Sequence, residues 1–165
     1  MIKNWHILVT RSRFEKKSCL RLTQNGFESF LPLHKVLSQW SDRKKWIEKP
    51  LFPGYIFVNF SASERYKVLS TEGIARVVRF ENKDYIVNEK VINGIKSQLD
   101  NNKEIEIVST LNLSLGDKVN ITNGPFKGAS GVLTQINGKS RILVLIEAIG
   151  QGCVIEIKST DLTKE

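Results

Sequence analysis

Pro50-Leu51-Phe52-Pro53-Gly54-Tyr55-Ile56-Phe57-Val58-Asn59-Phe60 decides how the chain is read. Pro53-Gly54 is a turn signal, and the six residues after it are aromatic, β-branched or, at Asn59, polar, so a strand leaves directly from a fixed bend. Side chains alternate between the faces of a strand. Ile56, Val58 and Phe60 therefore form one face, and Tyr55, Phe57 and Asn59 the other. If helices cover the first face, two large aromatics are left on the second, as anchors for a protein partner. The alternative is a central strand buried on both faces. Both readings stand at this point.

Outside this strand, charge is the most uneven property. Residues 1–60 hold 11 Lys and Arg against 4 Asp and Glu, residues 61–100 hold 7 against 6, and residues 101–165 hold 7 against 7. Nearly all of the net +8 lies in the first sixty residues, which favours a polyanion, nucleic acid before membrane. A basic solvated surface gives the same count. No apolar run approaches bilayer length, and the start, Met1-Ile2-Lys3-Asn4-Trp5-His6, has no signal-peptide pattern, so cytoplasmic residence is expected. Cys19 and Cys153 share no CxxC spacing and read as reduced packing residues. His6 and His34 lie in no catalytic motif, and no Gly-rich loop ends in Lys-Ser or Lys-Thr. The chain reads as a binding protein without catalytic residues, metal or cofactor.

The pattern predicts a strand over residues 2–10 and a helix over 13–25 stopped by Gly26. A second strand region, 27–40, is interrupted by Pro32. Ser41-Asp42-Arg43-Lys44-Lys45 links it to another strand-like run and reads as a hairpin tip, whose cations Arg43, Lys44 and Lys45 either touch phosphate or face solvent. Ser61 and Glu64 have capping-box spacing before a short helix over 65–70. A strand over 74–80, a turn over 81–84 and a short run over 85–87 follow. Asn88 then caps a third helix, with Val91, Ile92, Ile95 and Leu99 set to pack on the sheet. Residues 100–113 lack periodicity and read as a linker. From residue 115 short strands alternate with turns such as Asn123-Gly124-Pro125 and Asn137-Gly138, for which a small closed barrel is the economical answer.

Residues 116–132, which include Gly124-Pro125-Phe126 and a second glycine at Gly131, resemble a KOW motif. The Trp5-His6 opening and the segment from Pro50 to Phe60 resemble the NGN domain of NusG-type transcription elongation factors. Within that family Pro50-Leu51-Phe52-Pro53 is most similar to the specialised RfaH and UpxY antiterminators. The resemblance implies an α+β N-terminal domain over 1–100, mostly antiparallel sheet with flanking helices. A linker over 101–113 and a small all-β SH3-like KOW barrel over 114–165 complete it.

It also implies function. Such a factor docks on the clamp helices of the largest RNA polymerase subunit, and Tyr55, Phe57, Phe80 and Val9 stand at the docking positions, Val9 where RfaH has a tyrosine. Glu64-Arg65-Tyr66 replaces a His-Thr-Thr contact to the opposite pincer. For nontemplate DNA, Arg11 matches a basic position and Glu72 replaces another, while Arg13, Lys16 and Lys17 offer an alternative rim. Ala129 stands where the general factors carry a phenylalanine that binds Rho or a ribosomal small-subunit protein, which disfavours Rho and leaves the ribosomal protein open. The expected protein is a monomeric, operon-specific antiterminator that suppresses pausing. The alternatives are a general NusG coupling polymerase to Rho or ribosome, and a KOW-bearing RNA-binding or ribosome-associated protein.

Overall fold

A computed structural model describes residues 1–111, 113, 115–136 and 138–165. They form two compact units, Met1–Ile86 and Val87–Glu165. The Asn137 half of the expected Asn137-Gly138 turn lies outside the described residues.

The first unit runs β1 (Asn4–Thr10), α1 (Glu15–Gln24), β2 (Glu28–Phe30), β3 (Leu33–Gln39), β4 (Lys44–Pro50) and β5 (Tyr55–Phe60). Then come α2 (Arg65–Leu69), β6 (Ile74–Val77), β7 (Arg79–Phe80), β8 (Lys83–Asp84) and, at the boundary, β9 (Ile86–Val87). The main sheet has the order β2-β5-β1-β6, with β9 also on β1. β1 pairs antiparallel with β5 and β6, and β2 with β5. Leu8, Ile56, Val58 and Phe60 share a core with Leu22 of α1, Val68 of α2, Phe27, Ile74 and Val77. This is the face that the alternation assigned to Ile56, Val58 and Phe60.

Local chemistry sets the element ends. Gly26, at φ +84, turns the chain out of α1, and the Phe27 N–H returns to the Leu22 carbonyl at 3.0 Å. Ser61 and Glu64 make the expected capping box, although the first turn it opens is a 3₁₀ turn, Ala62–Glu64. Pro32 ends β2, and β3 and β4 form a separate two-stranded ribbon, so the expected hairpin stands apart from the main sheet. A second, smaller ribbon joins β7 to β8 through Glu81 and Asn82, both left-handed at φ 49 and 64, the twist a two-residue hairpin demands.

The second unit runs α3 (Glu89–Asp100), β10 (Glu106–Ser109), β11 (Leu115–Ile121), β12 (Ser130–Ile136), β13 (Lys139–Ile146), β14 (Gln151–Ile155) and β15 (Leu162–Lys164). Asn88 caps α3, its Oδ1 accepting from the Lys90 N–H at 2.9 Å. The strands form one antiparallel sheet in the order β10-β14-β13-β12-β11-β15. Among the described residues no pairing joins β10 to β15, and both of these edge strands are short. β10 falls in the stretch read as linker: its four residues are too few and too evenly exposed to carry a strand signal, and β14 supplies the pairing. Helix α3 groups with these strands, and Gly94 leaves the room that the Phe126 ring occupies.

Both cysteines are free thiols. Cys19 donates to Ser29 Oγ at 3.4 Å, and burial pushes the Cys153 thiol up to about 12, so neither has the depressed pKa of a reactive thiol.

Candidate functional site

The second face of the main sheet is set by register. Trp5 faces Asn59, Ile7 faces Phe57 and Val9 faces Tyr55 across β1 and β5, and Phe30 faces Phe57 from β2. Trp5 and Ile7 are buried on this face. Phe57 is fully buried too, edge to face with Phe52 at 5.7 Å between ring centres and tilted against Phe30 at 6.2 Å. The expected exposure of Phe57 is thus corrected: the Phe52 ring, brought back by the Pro53-Gly54 bend, takes the place a partner would have held. Tyr55 and Val9 are half-buried at the margin.

The row does not stop there. A bulge between Val9 and Thr10 skips Ala75 and sets Arg76 of β6 opposite Val9, so Tyr55, Val9 and the exposed Arg76 lie side by side across three strands. Simple alternation puts Arg76 on the same side as Ile74, which is why sequence reasoning missed it; only the bulge reveals it. Phe80 is 42% exposed on the β7–β8 ribbon, where it meets Tyr85 edge to face at 6.2 Å. Asp84 of β8 anchors that ribbon, accepting from Arg65 Nε at 2.7 Å and lying 3.7 Å from Arg79.

The basic residues divide by whether they are already engaged. Arg11 and Arg13 are exposed past the end of β1, and Arg13 holds a left-handed backbone at φ 63. Lys16 donates to the Glu48 carbonyl at 2.9 Å, and Lys17 lies over the Phe14 ring at 5.6 Å, so both are tied to neighbours. Glu72 pairs with Arg21. Arg43, Lys44 and Lys45 project from the hairpin, exposed.

In Glu64-Arg65-Tyr66 only Tyr66 is open, at 85% exposure. Glu64 accepts from the Ser61 N–H and from Lys3, which holds its carboxyl down at about 2. The Arg65 hydrogen bond likewise lowers Asp84. His6, nearly buried beside Phe60, donates from Nδ1 to the Tyr85 carbonyl at 3.2 Å, and burial lowers its pKa. All three shifts point the same way. Each group takes up protons more readily unfolded, so stability is complete at neutral pH and lost as pH falls, from 6.5 for His6 and from 4.5 for Glu64. Urea midpoints measured from pH 7 downward are expected to fall in two stages, and His6→Phe to abolish only the earlier one.

In the second unit Gly124, at φ +82, makes the turn, and the Lys127 N–H closes it on the Gly124 carbonyl at 3.1 Å. Pro125 is exposed, but Phe126 is 1% exposed and its ring lies over Gly94 of α3. A Cβ at Gly131 would meet Ile142 Cγ2 at 2.6 Å, so that glycine serves strand packing. Ala129 is fully buried and presents nothing outward.

Among the described residues no three His, Cys, Asp or Glu side chains gather as metal ligands, and no helix is long and apolar enough to cross a membrane. The first unit thus carries an apolar row bordered by a cation on a mixed α/β fold, and the second combines helix α3 with a six-stranded sheet.

Comparison with known proteins agrees. The family model "Transcription termination factor nusG" matches residues 3–96. The "Transcription termination/antitermination protein NusG" of Halalkalibacterium halodurans is 22% identical over 179 residues, covering 99% of each chain. Its Pseudomonas aeruginosa namesake is 24% identical over 178 residues, again covering 99% of each. A solved structure, "Domain interaction in Thermotoga maritima NusG", shares the fold at a TM-score of 0.51 and 23% identity, covering 98% of this chain and 97% of that one. This chain belongs to the NusG family. It is accordingly a transcription factor and not an enzyme.

Proposed function

We propose that the chain is an elongation factor that docks on the clamp helices of the largest RNA polymerase subunit and suppresses pausing or termination at specific operons. The observation that carries the reading is the margin of the sheet's second face, where the half-buried Tyr55 and Val9 lie in register beside the exposed Arg76. Phe80 adds an exposed aromatic within the region matching the family. Phe57 supports this edge from beneath rather than touching the partner. Arg11 and Arg13 are exposed cations that nontemplate DNA would meet, whereas Lys16 and Lys17 are engaged with Glu48 and Phe14. The modules proposed are an NGN domain over 1–100 and an SH3-like KOW barrel over 114–165, with β10, from the stretch 101–113 between them, paired to β14 of the second. A ribosomal small-subunit protein is the KOW partner proposed, approached by a surface other than the buried Ala129, and the working unit is a monomer.

The names of the relatives favour a second reading, a general factor serving termination as well as antitermination. In vitro transcription through a strong pause tests the first. The chain is expected to shorten the pause, and Tyr55→Ala with Phe80→Ala, in a folded protein, to lose most of that effect. A lengthened pause, or full activity in the double variant, contradicts it. Release of transcripts on adding Rho marks the general factor.

A further inference from the structure

The hairpin of β3 and β4 has two chemically different faces. From its tip downward the rungs are Trp40 with Arg43, Ser38 with Lys45, Val36 with Ile47 and His34 with Lys49. These side chains share one face, because partners across a rung point the same way and rungs alternate. The opposite face pairs Gln39 with Lys44, Leu37 with Trp46 and Lys35 with Glu48. The first face therefore carries three cations and an aromatic around the half-buried Val36–Ile47 pair, with no carboxylate, whereas the second mixes both signs around Leu37 and Trp46. Trp40 is 52% exposed, and Arg43, Lys45 and Lys49 are all exposed. Asp42 in the tip lies 4.0 Å from Arg43 with both side chains largely in water, a contact worth little.

We infer that this face binds single-stranded DNA, with Trp40 stacking on a base at the tip and Arg43, Lys45 and Lys49 following the phosphates. Arg43 and Lys49 are six residues apart on an extended strand, roughly 20 Å. Charge of one sign along such a line matches a phosphate backbone. The tryptophan selects a single strand, because the faces of bases in a duplex are already stacked. The choice of DNA over RNA rests on the function proposed above, in which the accessible strand is the one displaced from the template. Lys44, singled out with its neighbours from the sequence, belongs to the other face.

The test is fluorescence anisotropy of a labelled fifteen-nucleotide oligo(dT) with the full chain, without polymerase, across a salt series. Trp40→Ala is expected to weaken binding about 5- to 100-fold, and Trp40→Phe to recover most of it. The combination Arg43→Gln, Lys45→Gln and Lys49→Gln is expected to reduce the salt slope by about 2, three phosphates at about 0.7 each. Lys35→Gln, Lys44→Gln and Trp46→Ala together, on the opposite face, are expected to leave affinity within about two-fold. The inference is overturned by no binding, by equal losses from the two faces, or by equal or tighter binding of duplex DNA or oligo(U). None of these outcomes touches polymerase docking, which the pause assay reads separately.

Discussion

Gly73→Ala is expected to destabilise the first unit by about 2–5 kcal/mol, enough to unfold much of the population at 37 °C. Two independent costs meet at this residue. Its backbone is left-handed, at φ +89, where a Cβ is strained. The added methyl would also sit 2.5 Å from Phe14 Cδ1 and 2.9 Å from Phe14 Cβ, and closer still to Ser18 Oγ. Ser18 cannot yield cheaply. It is fully buried and donates to the Glu72 carbonyl at 2.8 Å, while the Gly73 carbonyl holds the Arg11 N–H at 2.8 Å. Gly26→Ala separates the two costs, since Gly26 is equally left-handed at φ +84 but has nothing within 4 Å of the added carbon. It is expected to cost about 1 kcal/mol. Thermal melts of both variants check this, the Gly73→Ala transition falling by ten degrees or more below that of Gly26→Ala.

The second large effect is expected at Phe126→Ala, about 3–5 kcal/mol. The ring is 1% exposed, and its turn is tied on both sides: the Ala129 N–H returns to the Phe126 carbonyl at 2.9 Å and the Gly128 N–H to the Ile121 carbonyl at 2.7 Å. The truncated side chain thus leaves a cavity that the turn has little freedom to fill. The complementary change, Gly94→Ala, keeps the ring and crowds it, since the new Cβ would lie 2.6 Å from Phe126 Cε1. Overpacking costs about 1–3 kcal/mol, more than the roughly 1 kcal/mol of helix propensity that alanine brings. Urea unfolding of the full chain with each variant distinguishes them. If Phe126→Ala melts like the parent, the ring is an ornament of the turn and not its plug.

Much of the architecture was legible because its signals are local. Alternation over 55–60 assigned Ile56, Val58 and Phe60 to the core they occupy. Ser61 and Glu64 announced their capping box, Asn88 its helix, and the polar run 41–45 its hairpin. The failures are all of longer range. Phe57 looked as free as Tyr55, since both stand on the same face, and only the folded position of Phe52 separates them. Arg76 was hidden by a bulge that no propensity marks. β10 and β15 were missed because three or four residues gain strand character only from the strand beside them. Of the nucleic-acid candidates, composition named Arg43, Lys44 and Lys45 alike, but register divides them, leaving Trp40 and Lys49 on the face of Arg43 and Lys45.

The β7–β8 ribbon bears on more than the position of Phe80. Two residues on each strand are far too few to hold a hairpin by themselves, and its turn uses Glu81 and Asn82 where glycine would cost less. What keeps it in place is largely borrowed: the Arg65 hydrogen bond to Asp84 and the Val78 N–H on the Ile7 carbonyl of β1 at 2.8 Å. Such a segment opens at a fraction of the free energy needed to unfold the unit. A partner that seats on Phe80 therefore also closes the ribbon, and part of its affinity is spent on ordering. Mutations at Arg65, which holds Asp84 from α2, would then register as weaker binding at Phe80, through the population of the closed form.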